Sequence, residues 1–185
     1  MTIKIEQNIQ YSARAGFTLI ETLVAISILL IAIVGPISLI GDALHRIYYA
    51  KDEMIAINLA QEGIEVARRV RDTNMLGGGT SPGNWLADLG NGDYIIDAGN
   101  IAGAPGAFLV PCGVCAGLPQ TVYFHTATDL YRQGSVYDST QFSRVVTISS
   151  AGLGANERKV TSTVTWRTGG GTGSVSVWGY IFKTF

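Results

Sequence analysis

The sequence predicts an α+β protein in which a long N-terminal helix packs, by its second half, on an antiparallel β-sheet. Three observations carry this. From Thr22 to Gly41 no charged residue occurs; from Asp42 to Asn74 there is no proline and apolar residues keep to one helical face; beyond Gln120 the period changes to an alternation of β-branched and aromatic residues. The 185 residues have a mean hydropathy of +0.27 with 15% charged side chains. That is apolar for a soluble chain and too polar for several membrane spans, and one span plus a soluble head fits both values. A net charge of −1 gives the chain as a whole no attraction for nucleic acid or another polyanion.

Residues 1–16 contain Lys4 and Arg14 and no apolar core. A secretory signal places its apolar region before the cleavage site. Here the apolar region follows the stretch Ala15-Gly16-Phe17-Thr18-Leu19-Ile20-Glu21, so a cut at Gly16 would leave the helix on the mature chain. About 20 uncharged residues at ~1.5 Å rise reach roughly 30 Å, the thickness of a bilayer core. The basic leader predicts that residues before the span stay in the cytoplasm and those after Asp42 lie outside. Gly35-Pro36 is expected to weaken the helix, because Pro36 removes the hydrogen bond to the Ala32 carbonyl and crowds that turn. A tolerated membrane kink is one reading of this break. Glu21 is costly at the edge of an apolar span and calls for a partner or for the headgroup layer.

Gly16 ahead of a cut, Phe17 as the new N-terminus, Glu21 four residues on and then an apolar helix together resemble the processing site of type IV prepilins, the precursors of pilus and secretion-pseudopilus subunits. The resemblance implies a pilin-like fold and a dedicated prepilin peptidase/methyltransferase that cleaves after Gly16 and methylates Phe17. It implies a pairing of Glu21 with the Phe17 amine of a neighbouring subunit, and a helix that partly unwinds at Gly35-Pro36 when it leaves the bilayer. The implied function is structural: a minor pilin or pseudopilin, anchored once in the inner membrane with an extracytoplasmic head, that joins other pilin or pseudopilin subunits in a helical filament of a type IV pilus or type II secretion system. A membrane-tethered tip adhesin or binding module that contacts a surface, DNA or a secreted protein is the alternative. The chain then divides into a leader (1–16), the membrane and assembly half of the helix (17–41), its amphipathic half (42–76), a loop-rich variable region (77–120) and the sheet (121–185).

In the amphipathic half, Leu44, Tyr48, Ile55, Leu59, Val66 and Val70 share one face, while Arg46, Asp52, Glu53, Gln61, Glu65, Arg68 and Arg69 occupy the other. Glu65 with Arg69 and Arg68 with Asp72 are expected as i,i+4 pairs. The cluster Arg68, Arg69 and Arg71 reads as solvated charge near a helix C-terminus, where the dipole favours cations.

The region from Gly77 to Gln120 is rich in turn formers, with short strands expected at Tyr94–Ile96 and Ala107–Val110. Cys112 and Cys115 lack further ligands for zinc, because His45 and His125 are isolated, and they lack the strand-then-helix context of a redox motif. A disulfide closing a tight extracytoplasmic turn is the expected state. Asp88, Asp93 and Asp97 raise a calcium site, but their spacing matches no defined calcium loop and they read as turn formers.

Four β-runs follow at 120–125, 142–148, 160–166 and 174–182. In the third, Val160, Ser162, Val164 and Trp166 share one face, and Thr161, Thr163, Thr165 and Arg167 the other, so the sheet has one dry face to cover the helix stripe. The glycine-rich stretch from Thr168 to Gly173 reads as the hairpin between the last two strands. Arg144, Arg158 and Arg167 are expected to face solvent. No nucleophile triad, carboxylate pair or metal cluster emerges, so neither enzymatic activity nor a cofactor is expected.

Overall fold

The computed structural model describes residues 16–77, 84–96, 108–112, 120–133, 138–150, 152, 154–168 and 171–183. The chain forms two compact units, Met1–Leu44 and His45–Phe185. Helix α1 (Leu19–Met75) contributes its first part to one and its second part to the other. Seven strands follow: β1 (Gly92–Ile96), β2 (Leu109–Pro111), β3 (Thr121–His125), β4 (Leu130–Arg132), β5 (Asp138–Ser149), β6 (Glu157–Thr168) and β7 (Gly171–Phe182). All pair antiparallel in one sheet, which is the α+β, pilin-like arrangement expected.

The sheet is built on β5. One edge of β5 pairs with β6 from Phe142↔Trp166 to Ser149↔Lys159, and β6 pairs with β7 along twelve consecutive positions. The other edge is shared by two strands: β1 covers Val146 to Ile148, and β3 covers Asp138 to Ser143 with a bulge between Thr121 and Tyr123. β2 and β4 extend these two half-sheets outward. The short strands from the loop-rich region therefore join the same sheet as the later ones.

On the helix side, alternation buries Val160, Ser162, Val164 and Trp166 of β6, as the sequence pattern implied. The helix meets them with small residues. Ala56, Ala60, Gly63 and Ala67 are spaced 4, 3 and 4 apart and are all buried, so the α1 backbone lies close to the sheet. At Gly63 a Cβ would stand 2.9 Å from the Ser162 Cβ and 3.0 Å from a Val146 methyl, closer than packed side chains allow. Trp166 similarly lies over its cross-strand partner Gly173, where a Cβ would run into the indole. The predicted apolar stripe begins later than expected. Leu44 and Tyr48 are exposed, Ile55 is half-buried, and continuous burial starts at Ala56.

Arg144 is the main correction to the sequence reading. It is fully buried, not solvent-facing. Its place in β5 explains this, because Phe142, Arg144, Val146 and Ile148 alternate toward the helix. The guanidinium donates to the Leu59 carbonyl at 3.0 Å, the Glu62 carboxylate at 2.5 Å and the Gln133 amide oxygen at 2.9 Å. Gln133, also fully buried, donates to the Gln120 and Arg144 carbonyls and accepts from the Ile96 N–H. Its amide thus closes the place where β1 ends and β3 begins beside β5. Arg158 is half-buried, its guanidinium 5.9 Å from the Trp85 ring centroid, and only Arg167 is exposed as expected.

The helix charges also pair differently from the i,i+4 expectation. Glu65 bonds Arg68 at 2.5 Å, Arg71 bonds Asp72 at 2.6 Å, and the Arg69 guanidinium sits 4.5 Å from the Phe108 ring centroid. Asn74, buried at the helix end, donates to the Ala87 carbonyl at 2.6 Å and fixes the turn after the helix. Arg144→Ala is expected to lower the unfolding free energy by about 3 kcal/mol, the low end for breaking a buried pair because Glu62 keeps 35% of its side chain exposed. Gly63→Leu is expected to cost about 1–3 kcal/mol by overpacking. Urea unfolding followed by tryptophan fluorescence measures both, with exposed Thr147→Ser as the reference.

Candidate functional site

The residues singled out by the sequence gather at the start of α1. Gly16, Phe17 and Thr18 precede the helix in non-helical backbone, and Phe17 is 81% exposed. Thr18 is the N-cap. Its hydroxyl accepts the Glu21 N–H at 3.3 Å, and its carbonyl accepts the first helical bond from Thr22 at 3.2 Å. Thr18-Leu19-Ile20-Glu21 is the Thr-x-x-Glu pattern of a capping box, a signal present in the sequence that the motif reading passed over. Glu21 therefore lies in the first turn, where unpaired N–H groups and the helix dipole favour an anion. Among the described residues it forms no salt bridge.

Beyond Glu21 the helix is bare. The large apolar side chains from Leu19 to Ile40 are 48–82% exposed, and no described residue of their own unit covers them. Such a surface requires lipid or other helices. The two hydroxyls near its start are satisfied internally: Thr22 donates to the Leu19 carbonyl and Ser27 to the Leu23 carbonyl, each at 2.8 Å. That is the condition for polar residues within lipid.

α1 passes through Gly35 and Pro36 as one helix. A Cβ at Gly16, Gly35 or Gly41 would meet no atom within 4 Å. Among the described residues no packing demands glycine at these positions.

Cys112 is buried and disulfide-bonded, and its N–H donates to the Asp93 carbonyl at 2.8 Å. The sequence has one other cysteine, Cys115, which lies outside the described residues. The three aspartates are not brought together by what is described. Asp93 accepts the Thr147 hydroxyl at 2.6 Å, Asp88 sits at φ 61° near Tyr94, and Asp97 lies outside the described residues. Burial, and then the Asp88 carboxylate, push the Tyr94 phenol above its ordinary range, while its hydroxyl donates to the Gly90 carbonyl. Among the described residues no group of three or more His, Cys, Asp or Glu converges. His125 sits 2.6 Å from the Thr128 hydroxyl.

A bare apolar helix entering a head of helix on antiparallel sheet defines a pilin-like protein with a helix long and apolar enough to cross a membrane. Residues 11–35 match the model of the prokaryotic N-terminal methylation motif, the signature of type IV prepilins, and the match contains Gly16, Phe17, Glu21, Gly35 and the capping threonine. No curated protein and no solved structure matches the chain. Thr18→Ala is expected to weaken the start of α1 by about 1 kcal/mol. Faster amide exchange at Glu21 and Thr22 in micelles, with the head unchanged, would report it.

Proposed function

We propose that this protein is a structural subunit, a minor pilin or pseudopilin, held in the inner membrane by α1 and later joined to other subunits through the same helix in an extracytoplasmic filament. The single observation that carries this reading is the exposed Gly16-Phe17 junction, two residues ahead of a capped, uncovered apolar helix with Glu21 in its first turn. A peptidase needs an accessible, non-helical bond, and Gly16-Phe17 is one. Among the described residues no neighbour requires glycine at position 16, and in this reading the processing enzyme does.

Cleavage creates an amine on Phe17, and methylation leaves its positive charge. That charge stands at the positive end of the helix dipole, where it is unfavourable. Glu21, about one turn on, offsets it within the subunit, and in a filament the same carboxylate pairs with the Phe17 amine of the adjacent subunit. Among exposed apolar helices the pair sets axial register, since a slipped register leaves both charges in an apolar setting. The helix weakened by Gly35 and Pro36 supplies the local unwinding that a change from bilayer to filament packing asks for. The basic leader keeps Gly16 at the cytoplasmic side and places the head outside. A Cys112–Cys115 disulfide suits that compartment; closing so short a loop contributes toward the lower end of the ~2–4 kcal/mol usual for disulfides.

Replacing Gly16 with a bulky residue is expected to abolish processing, seen as retention of the leader by mass spectrometry of the membrane fraction. Glu21→Ala is expected to leave processing intact and lower incorporation into sheared filaments at least about tenfold, the scale of one desolvated charge pair. Normal incorporation of that variant would remove the pairing from the model of assembly. Thiol labelling of the denatured, unreduced protein is expected to find no reactive cysteine, and after reduction two.

A further inference from the structure

The two sides of the sheet end differently. On one side the outermost strands, β2 and β4, have three residues each, and β2 ends in Pro111; short strands and proline are how sheets guard an edge. On the other side β7 runs for 12 residues without a charge, a proline or a bulge, and among the described residues it pairs with β6 alone. Its second edge thus presents a row of backbone donors and acceptors, which an extended backbone can pair with along its length.

This edge also has walls. On the helix side lies a groove of about 330 Å³ lined by Gln61, Ile64, Glu65 and Arg68 of α1 with Val177 and Trp178 of β7. On the outer side Trp178, Tyr180 and Phe182 form a ladder of rings 57%, 40% and 48% exposed, with centroids 5.7 and 6.4 Å apart. We propose that the β7 edge accepts an extended, uncharged segment of a different polypeptide as an additional strand, its alternate side chains entering the α1 groove and covering the aromatic ladder.

Charge and area select this occupant. β7 itself is uncharged, Glu65 and Arg68 pair with each other at the groove, and the Lys159 ammonium is already engaged 5.2 Å from the Trp178 ring centroid, so a charged segment meets no unengaged counterion among the described residues there. Three half-exposed aromatic side chains offer roughly 300 Å² of apolar surface. That is far below the ~800 Å² per partner of a stable domain interface, so backbone pairing along a peptide-sized contact must supply the rest. A second copy fits poorly. Head-to-tail pairing would set 12 residues against three-residue strands. Symmetric β7 pairing would bury no more than the same roughly 300 Å² of aromatic surface on each copy, below the ~800 Å² per partner of a stable dimer.

The test uses the full chain in detergent micelles and a phage-displayed library of random peptides about 12 residues long. Enriched peptides are expected to be uncharged, with alternating β-branched or aromatic residues. In synthetic copies, N-methylation of alternate amides in one register should weaken binding at least about tenfold, and in the other register change it less than about twofold. The exposed double substitution Trp178→Lys and Tyr180→Lys should weaken binding while leaving the head's circular dichroism unchanged. No enrichment over that double variant, or equal loss from both methylation registers, would overturn strand addition. A dimer in sedimentation that the peptides dissociate would assign the edge to a second copy instead and overturn the proposal, whatever becomes of filament incorporation.

Discussion

Everything in the head depends on one buried cation. Arg144 lies between two apolar clusters, one around Val146, Ile148, Val160 and Ile181 and the other around Phe142, Val164 and Trp166. An unpaired guanidinium there would be prohibitive. It is instead held by a helix carbonyl, a helix carboxylate and the Gln133 amide. Because those partners come from α1 and from the junction of the two half-sheets, the charge admits only one placement of helix on sheet. Apolar packing of small residues against β6 tolerates sliding, whereas a buried charge with three fixed acceptors does not.

The same helix solves two different problems along its length. In its second part, Ala56, Ala60, Gly63 and Ala67 remove side-chain bulk so that the backbone approaches the sheet, and Gly63 shares its space with Ser162. In its first part, large aliphatic side chains point outward on all sides and no described residue of their own unit covers them. The small-residue surface suits one fixed partner, the sheet. In the proposed assembly the large aliphatic surface meets lipid in one state and neighbouring helices in another.

The electrostatics at the helix start tie these surfaces to processing. Thr18 caps the helix, and Glu21 sits where the helix dipole favours an anion before any other subunit is present. In the proposed assembly, a carboxylate already stabilised by its own helix turns outward to a cation on a neighbour.

The sequence by itself determined the N-terminal methylation motif, the apolar span and the fold class, since each rests on local periodicity or on adjacent residues: Gly16 to Glu21 within the motif, Thr22 to Gly41, and the alternation in β6. The Thr-x-x-Glu cap and the inward place of Arg144 in the Phe142, Val146, Ile148 series are written there too, although the charge of Arg144 taken alone points to solvent. Only the tertiary structure decided that β1 and β3 share one edge of β5, that Gln133 closes the junction, that Arg69 and Arg158 lie against Phe108 and Trp85, and that among the described residues β7 pairs with β6 alone. These are contacts between residues tens of positions apart. No local pattern encodes which distant carbonyl or ring will satisfy a given donor; that follows from packing, when burial forces every polar group to find whatever partner the assembled strands bring to it.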